Sequence, residues 1–162
     1  MTVKEKLLEW LIRPEQFYIR KYLRFLRQEE KYSFAKPCKL FAFWYKARKN
    51  RLGAKLGFII SAGCFDEGLK LEHYGSVIVN PKSRIGKGCI IHGNCCIGST
   101  GGYPDDSPVI GDNVDIGQNA QILGGIRIAD NVRIGAGAVV VKDVLTSGAT
   151  VAGVPAQEII HY

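Results

Sequence analysis

The sequence predicts a mainly-β protein: a parallel β-helix with six-residue sides, preceded by a short α-helical N-terminal segment. Three observations predict it. An isoleucine or valine returns every sixth residue at Val79, Ile85, Ile91 and Ile97, and again at Ile110, Ile116, Ile122, Ile128, Ile134 and Val140. The third residue after the aliphatic is Gly or Asn at Gly88, Asn94, Asn113, Asn119, Gly125, Asn131 and Gly137, residues that enter positive φ cheaply, as a sharp corner requires. The fourth is small or β-branched at Ser83, Cys89, Cys95, Val114, Ala120, Val132 and Ala138. A helix repeats its apolar residues at i, i+3, i+4 and i+7 and a simple strand alternates, so a period of six is neither. It is one flat side of a three-sided coil, with the aliphatic pointing inward and successive coils stacked about 4.8 Å apart by parallel pairing.

Taken in chain order, residues 1–57 are the helical segment, 58–156 the β-helix and 157–162 a C-terminal tail. Residues 3 to 31 carry apolar side chains at helical spacing, Leu7, Leu8, Leu11 and Ile12 and then Tyr18, Tyr22 and Phe25. Pro14 falls between the two sets, so two short helices are expected to meet there. A third is expected from Lys39 to about Arg51, closed by Gly53 and Gly57. Residues 1 to 56 hold 15 Lys and Arg against 5 Asp and Glu, and the remainder holds 7 against 10. No nucleic-acid motif accompanies the basic segment, so no nucleic-acid partner is expected. Trp10, Phe17, Tyr18, Tyr22 and Phe25 interleave with Arg13, Arg20, Lys21, Arg24 and Arg27, a mixture suited to peripheral contact with an anionic membrane. The blander reading is packing against the acidic β-helix. No run of 18 apolar residues occurs and the N-terminus is charged, so a cytoplasmic protein is expected, possible membrane contact being peripheral at the inner face. The five cysteines show no CxxC spacing and read as reduced thiols; Cys89 and Cys95 fall at small positions and read as packing residues.

The count of six breaks twice. Phe65 and Leu71 are six apart, but Leu71 and Val79 are eight apart, and the two additional residues fall in "LEHYGSVIV", where they free His73 from the regular prism. Ile97 and Ile110 are 13 apart, read as two sixes plus one residue, with "GSTGGYPDDSPV" protruding as a loop. On that count Val79, Ile97, Ile116 and Ile134 form one stacked column.

Residues 59 to 156, with "LEHYGSVIVN", "IGKGCIIHGNCCIGSTGG", "SPVIGDNVDIG", "IRIADNVRIGAGAVVVKDV" and "VAGVPA" in order, resemble the hexapeptide-repeat acyltransferases, and within them the serine acetyltransferase branch and its capsular-polysaccharide relatives. The resemblance implies a left-handed helix, acetyl-CoA as co-substrate, no metal, and a homotrimer with its sites between adjacent prisms. It places the general base on His73, next to the acidic Glu72. The family's orienting aspartate would fall near Phe58, so Asp66 or Glu67 is the substitute. By match the acetyl-CoA channel takes Gly98, Ser99, Thr100, Gly117, Gln118, Gly135 and Ala136, with Lys142 at the phosphates. Corners need glycine in any case, which accounts for much of that set without a ligand. His92 is expected to face outward and His161 to lie at the frayed end.

Three function classes compete. Acetyl-CoA-dependent O-acetyl transfer is favoured by the repeat, the loop and His73. A γ-class carbonic anhydrase shares the helix but needs three zinc-bound histidines, and this chain has three in all, one of them His161. A non-enzymatic, ice-binding β-helix needs threonine ladders, which are absent from the sequence. For the acceptor, a small-molecule or lipid-linked sugar in capsule assembly is expected and free serine is the alternative. The loop "GGYPDDSP" holds Asp105 and Asp106 and no cation for a carboxylate, and Ser107-Pro108 stands where serine enzymes place a histidine before the proline.

Overall fold

The computed structural model describes residues 2, 15–101 and 106–159. The chain divides into two compact units, Met1–Lys55 and Leu56–Tyr162.

In the first unit, α1 (Glu15–Glu30) buries Ile19, Tyr22, Leu26 and Glu29, a stripe three to four residues apart along one helix face. A π-helical turn, Lys31–Ala35, leads to α2 (Lys39–Leu56). The two helices are tied by a buried ion pair, Lys49 Nζ to Glu29 Oε2 at 2.8 Å, and by Phe25 and Tyr32 against Tyr45, the latter pair stacked with centroids 5.6 Å apart. Two expectations change here. α2 runs through Gly53 and ends only before Gly57, whose φ is +86°, because Ala54, Lys55 and Leu56 are good helix formers that carry the helix across one weak residue. Tyr22 belongs to the buried stripe and not to an exposed aromatic face. The helix expected before Pro14, with Trp10 and Arg13, lies outside the described residues.

The second unit is a coil of short strands. In chain order these are β1 (Phe58–Ile59), β2 (Lys70–Leu71), β3 (Val77–Val79), β4 (Arg84–Ile85), β5 (Ile90–Ile91), β6 (Cys96–Gly98) and β7 (Val109–Ile110). They continue as β8 (Asp115–Ile116), β9 (Gln121–Leu123), β10 (Arg127–Ile128), β11 (Arg133–Ile134), β12 (Val139–Val140), β13 (Thr150–Gly153) and β14 (Ala156–Glu158). Three sheets form three faces: β1, β3, β6, β9 and β12 on the first; β4, β7 and β10 on the second; β2, β5, β8, β11 and β13 on the third, where β14 folds back antiparallel on β13. All other pairings are parallel.

The register gives three buried columns. Val79, Ile97, Ile122 and Val140 stack on the first face. Phe65, Ile85, Ile110 and Ile128 stack on the second, and Leu71, Ile91, Ile116, Ile134 and Val151 on the third. This corrects the column drawn from the sequence, because Ile97 stacks on Ile122 and not on Ile116. Ile97 and Ile110 lie on neighbouring faces. The interval of 13 is one side of six and an insertion of seven, which leaves the prism at a corner instead of crossing a face.

Corners behave as the composition requires. Asn94, Asn113, Asn119 and Asn131 have φ between 53° and 62°, a left-handed conformation that asparagine tolerates. Where Gly125 was expected to turn, Gly124 takes the positive φ, +99°. The corners also bond to each other along the axis: Asp112 Oδ1 accepts from Lys87 N and Asp130 Oδ1 from Asp112 N, both at 2.7 Å.

Candidate functional site

The third face and the first meet at a corner that matters for chemistry. Register places Glu72, His92, Gly117, Gly135 and Ala152 one above another, immediately after the buried column of the third face. Glu72, His92, Gly117 and Gly135 each bond their backbone N–H to the next coil, as in His92 N to Ile116 O at 3.0 Å and Gly117 N to Ile134 O at 2.8 Å. Gly117 and Gly135 carry no side chain because none fits. A Cβ on Gly117 would stand 2.6 Å from Ala136 N, and one on Gly135 2.9 Å from the Ala152 Cβ. The corner therefore leaves a trough along the axis with a bare backbone floor.

This trough is an open groove of about 330 Å³. Asp115, Arg133 and Thr150, the outward residues of β8, β11 and β13, form one bank, and Gln118 and Ala136 form the other. His73 and His92 stand in the same groove. His73 is exposed on the widened corner after β2, beside Gly93 of the next coil. Gly93 has φ +123°, and a Cβ there would sit 3.7 Å from the His73 Cβ and 3.2 Å from Tyr74 O, so this glycine keeps the histidine's space open. His92 Nε2 lies 2.9 Å from Asp115 Oδ1, and both side chains are about two-fifths exposed, 40% and 42%. A carboxylate on one ring nitrogen fixes the tautomer and the ring orientation and leaves the other nitrogen for a second partner.

The groove thus gathers His73, Gly117, Gln118, Gly135 and Ala136 from the residues the sequence nominated. Glu72 is half-buried at the corner in the His92 column. The others lie elsewhere. Lys142 lines a separate depression with Asp143, Leu145 and Glu158, and Asp66 lines one on the second face with Arg84 and Val109. Glu67 is exposed at a different corner, where its carbonyl accepts from Gly88 N. Gly98 ends β6, and Ser99 and Thr100 begin the inserted loop. Asp106 closes that loop: Thr100 donates to its carboxylate through the backbone N–H at 3.0 Å and through the hydroxyl. These bonds, with one from the Gly125 backbone, hold the Asp106 carboxyl below the usual carboxylate range. That carboxylate is engaged within its own chain, which weakens its assignment to sugar hydroxyls. Tyr103, Asp105 and His161 lie outside the described residues.

Sequence reading missed Asp115, Arg133 and Thr150 and set His92 aside. The signal was present but hidden by the loop count. His92 and Asp115 are 23 residues apart, which is one coil of eighteen and a seven-residue insertion, less two. With the insertion counted correctly they are diagonal neighbours.

The buried cysteines take no part. Burial pushes the Cys89 thiol up to about 11 and raises that of Cys95, and their sulfurs sit 3.3 Å from Gly111 O and 3.1 Å from Gly93 O. Among the described residues no three His, Cys, Asp or Glu side chains converge as metal ligands would.

A three-sided parallel coil with Ile and Val columns, Asn corners and an axial groove defines a hexapeptide-repeat protein. The family model for bacterial transferase hexapeptides, six repeats, matches residues 107–142. The serine acetyltransferase of Synechococcus elongatus is 36% identical over 108 residues, covering 66% of this chain and 40% of that one. That of Mycobacterium tuberculosis is 38% identical over 104 residues, 64% of this chain and 43% of the other. Among solved structures, serine acetyltransferase from Neisseria gonorrhoeae superposes with a TM-score of 0.71 at 31% identity, covering 88% of this chain and 55% of that one. The Brucella abortus enzyme in complex with coenzyme A gives 0.70 at 29% identity, covering 85% and 54%. The chain carries the hexapeptide-repeat fold, a left-handed β-helix, and the relatives and solved structures it resembles here are serine acetyltransferases. It spans about half the length of the curated relatives it matches.

Proposed function

We propose that the protein is an acetyl-CoA-dependent O-acetyltransferase whose acceptor is the hydroxyl of serine, with His73 as general base. The observation that carries this is the groove itself, in which a histidine stands at the end of a side-chain-free floor. An extended pantetheine arm can lie on Gly135 and Gly117 and hydrogen-bond the backbone of the coil edges, with Gln118 and Ala136 alongside. A thioester at the end of that arm arrives at His73, which takes the acceptor proton as the oxygen attacks the carbonyl. Serine is favoured over a sugar by two considerations: the relatives named above are serine acetyltransferases, and Asp106 is spent on closing its loop. A sugar hydroxyl is the second reading, because Ser107 stands where serine enzymes carry a histidine. Thiol release from acetyl-CoA, measured across serine, nucleotide sugars and lipid-linked sugars, tests both. Serine should give the highest kcat/KM. Release with a sugar alone would move the acceptor, and no release with any acceptor would overturn acetyl transfer.

The same reading includes a homotrimer. Ile59 and Ile78 are paired in register on the outside of the first face and are 62% and 42% exposed, an apolar patch that suits a second copy. The groove runs along the edge of that face, so a copy seated there supplies its missing wall. Sedimentation of a stable monomer under assay conditions would count against it.

The helical unit has a face suited to an anionic bilayer. Leu40, Phe41, Trp44, Arg48, Arg51 and Lys55 are exposed on one side of α2, and the Arg48 guanidinium lies 4.6 Å from the Trp44 ring centroid. Among the described residues no helix is long and apolar enough to cross a membrane, so the contact proposed is peripheral. Co-sedimentation with vesicles should require anionic lipid; binding that is absent or indifferent to lipid charge removes the idea.

A further inference from the structure

We propose that His92, held by Asp115, donates the proton to the departing sulfur of the acyl donor while His73 receives the acceptor's proton. The assignment rests on the acetyl-transfer reading above and adds a second catalytic histidine to it.

The order of groups along the helix axis carries it. Gly135, Gly117 and His92 occupy the same corner position on successive coils, and His73 stands one coil beyond His92, beside Gly93. Coils are about 4.8 Å apart. A donor lying on the two glycines therefore meets His92 first and His73 roughly 5 Å further on. In the reacting thioester the atoms follow in the same order: sulfur, then carbonyl carbon, then attacking oxygen. Sulfur falls beside His92 when the oxygen falls beside His73.

The ring is oriented for the task. Asp115 Oδ1 is an acceptor at 2.9 Å, so Nε2–H donates to it and Nδ1 is the nitrogen left over for the acyl donor. The proposed step uses His92 with a proton on Nδ1 as well, its charge opposed by Asp115, and Arg133 lines the same groove. In the step, the acceptor O–H proton passes to His73, the oxygen bonds to the carbonyl carbon, and the carbonyl π pair moves to its oxygen. Collapse of this tetrahedral species breaks the C–S bond. The bonding pair stays on sulfur, which takes the Nδ1 proton of His92 and leaves as a thiol. His92 is then neutral and His73 protonated, and both open to the groove, where exchange with water resets them.

Leaving-group dependence tests this. Acetyl-CoA departs as a basic alkyl thiolate that needs its proton, whereas an acetyl thioester of an acidic thiophenol departs without one. Values of kcat/KM for both donors are measured for the wild type, His92→Gln, Asp115→Asn and His73→Ala, each first shown to be folded by its circular dichroism. His92→Gln should lose about 10²-fold or more with acetyl-CoA and far less with the aryl thioester. Asp115→Asn should show the same bias with a smaller loss, and His73→Ala should lose similarly on both donors. Equal losses of His92→Gln on the two donors, or no loss on either, overturn the assignment and leave acetyl transfer standing. A wild-type protein that releases no thiol from either donor overturns acetyl transfer itself, and the assignment with it.

Discussion

Replacing Gly117 by alanine tests the groove floor and the coil spacing together. The added Cβ would lie 2.6 Å from Ala136 N, 2.7 Å from Ile134 O and 2.9 Å from Gly135 C. All three are backbone atoms of the next coil, so no flexible side chain can swing away. Ordinary carbon contact begins near 3.4 Å, so the coils must part locally by 0.5 to 0.8 Å. The bond from Gly117 N to Ile134 O, now 2.8 Å, would stretch beyond normal N–H···O range. Overpacking of this kind costs about 1–3 kcal/mol, and losing one hydrogen bond adds about 1 kcal/mol. Alanine recovers about 0.4–1 kcal/mol by restricting the unfolded chain. A net loss of about 1–3 kcal/mol remains, worth roughly 5–15 °C in Tm for a unit of this size. Thermal unfolding followed by circular dichroism reads the stability, and KM for acetyl-CoA reads the floor; both should worsen. Gln118→Ala, which trims an exposed side chain on the adjacent bank, should stay within about 0.5 kcal/mol of the wild type. An unchanged Tm and KM in Gly117→Ala would refute both the close packing of these coils and the placement of the donor on them.

His73→Ala should lower turnover about 10²-fold or more with acetyl-CoA affinity nearly unchanged, read by steady-state kinetics and calorimetric titration; weaker donor binding with intact turnover would remove the base assignment. Lys49→Met strands the Glu29 carboxylate in the helical unit, and breaking a buried pair from one side costs about 3–5 kcal/mol, seen as a large fall in urea midpoint that Glu29→Gln combined with Lys49→Met should partly restore. Asp106 has a depressed pKa because Thr100 bonds its charged form, so its contribution to loop closure is complete at neutral pH and is lost only as pH falls through that lowered value. Protease nicking of the loop in Thr100→Ala should therefore exceed wild type at pH 7, and the two should converge in acid.

The β-helix was legible because its rule is local. One inward aliphatic, one small residue and one left-handed corner recur within six residues, and hardly any other backbone satisfies all three, so Ile91, Ile116 and Asn113 could be assigned from the chain alone. The departure of His73 from the regular prism was legible for a related reason, since two additional residues interrupt the count there. What failed was arithmetic across the insertion: a loop leaving at a corner and one crossing a face have the same length in sequence, and only the pairing of Ile97 with Ile122 separates them. That difference decides which side chains meet. In a parallel coil a residue's functional neighbours lie a whole turn away, so the His92–Asp115 pair, with Arg133 and Thr150 on the same bank, exists only once the stacking register is fixed. Sequence determined the repeating unit, because each side is specified by steric needs inside one hexapeptide. Tertiary structure alone decided the groove, because its floor and both banks are assembled from successive coils that hydrogen bonding along the axis brings into line.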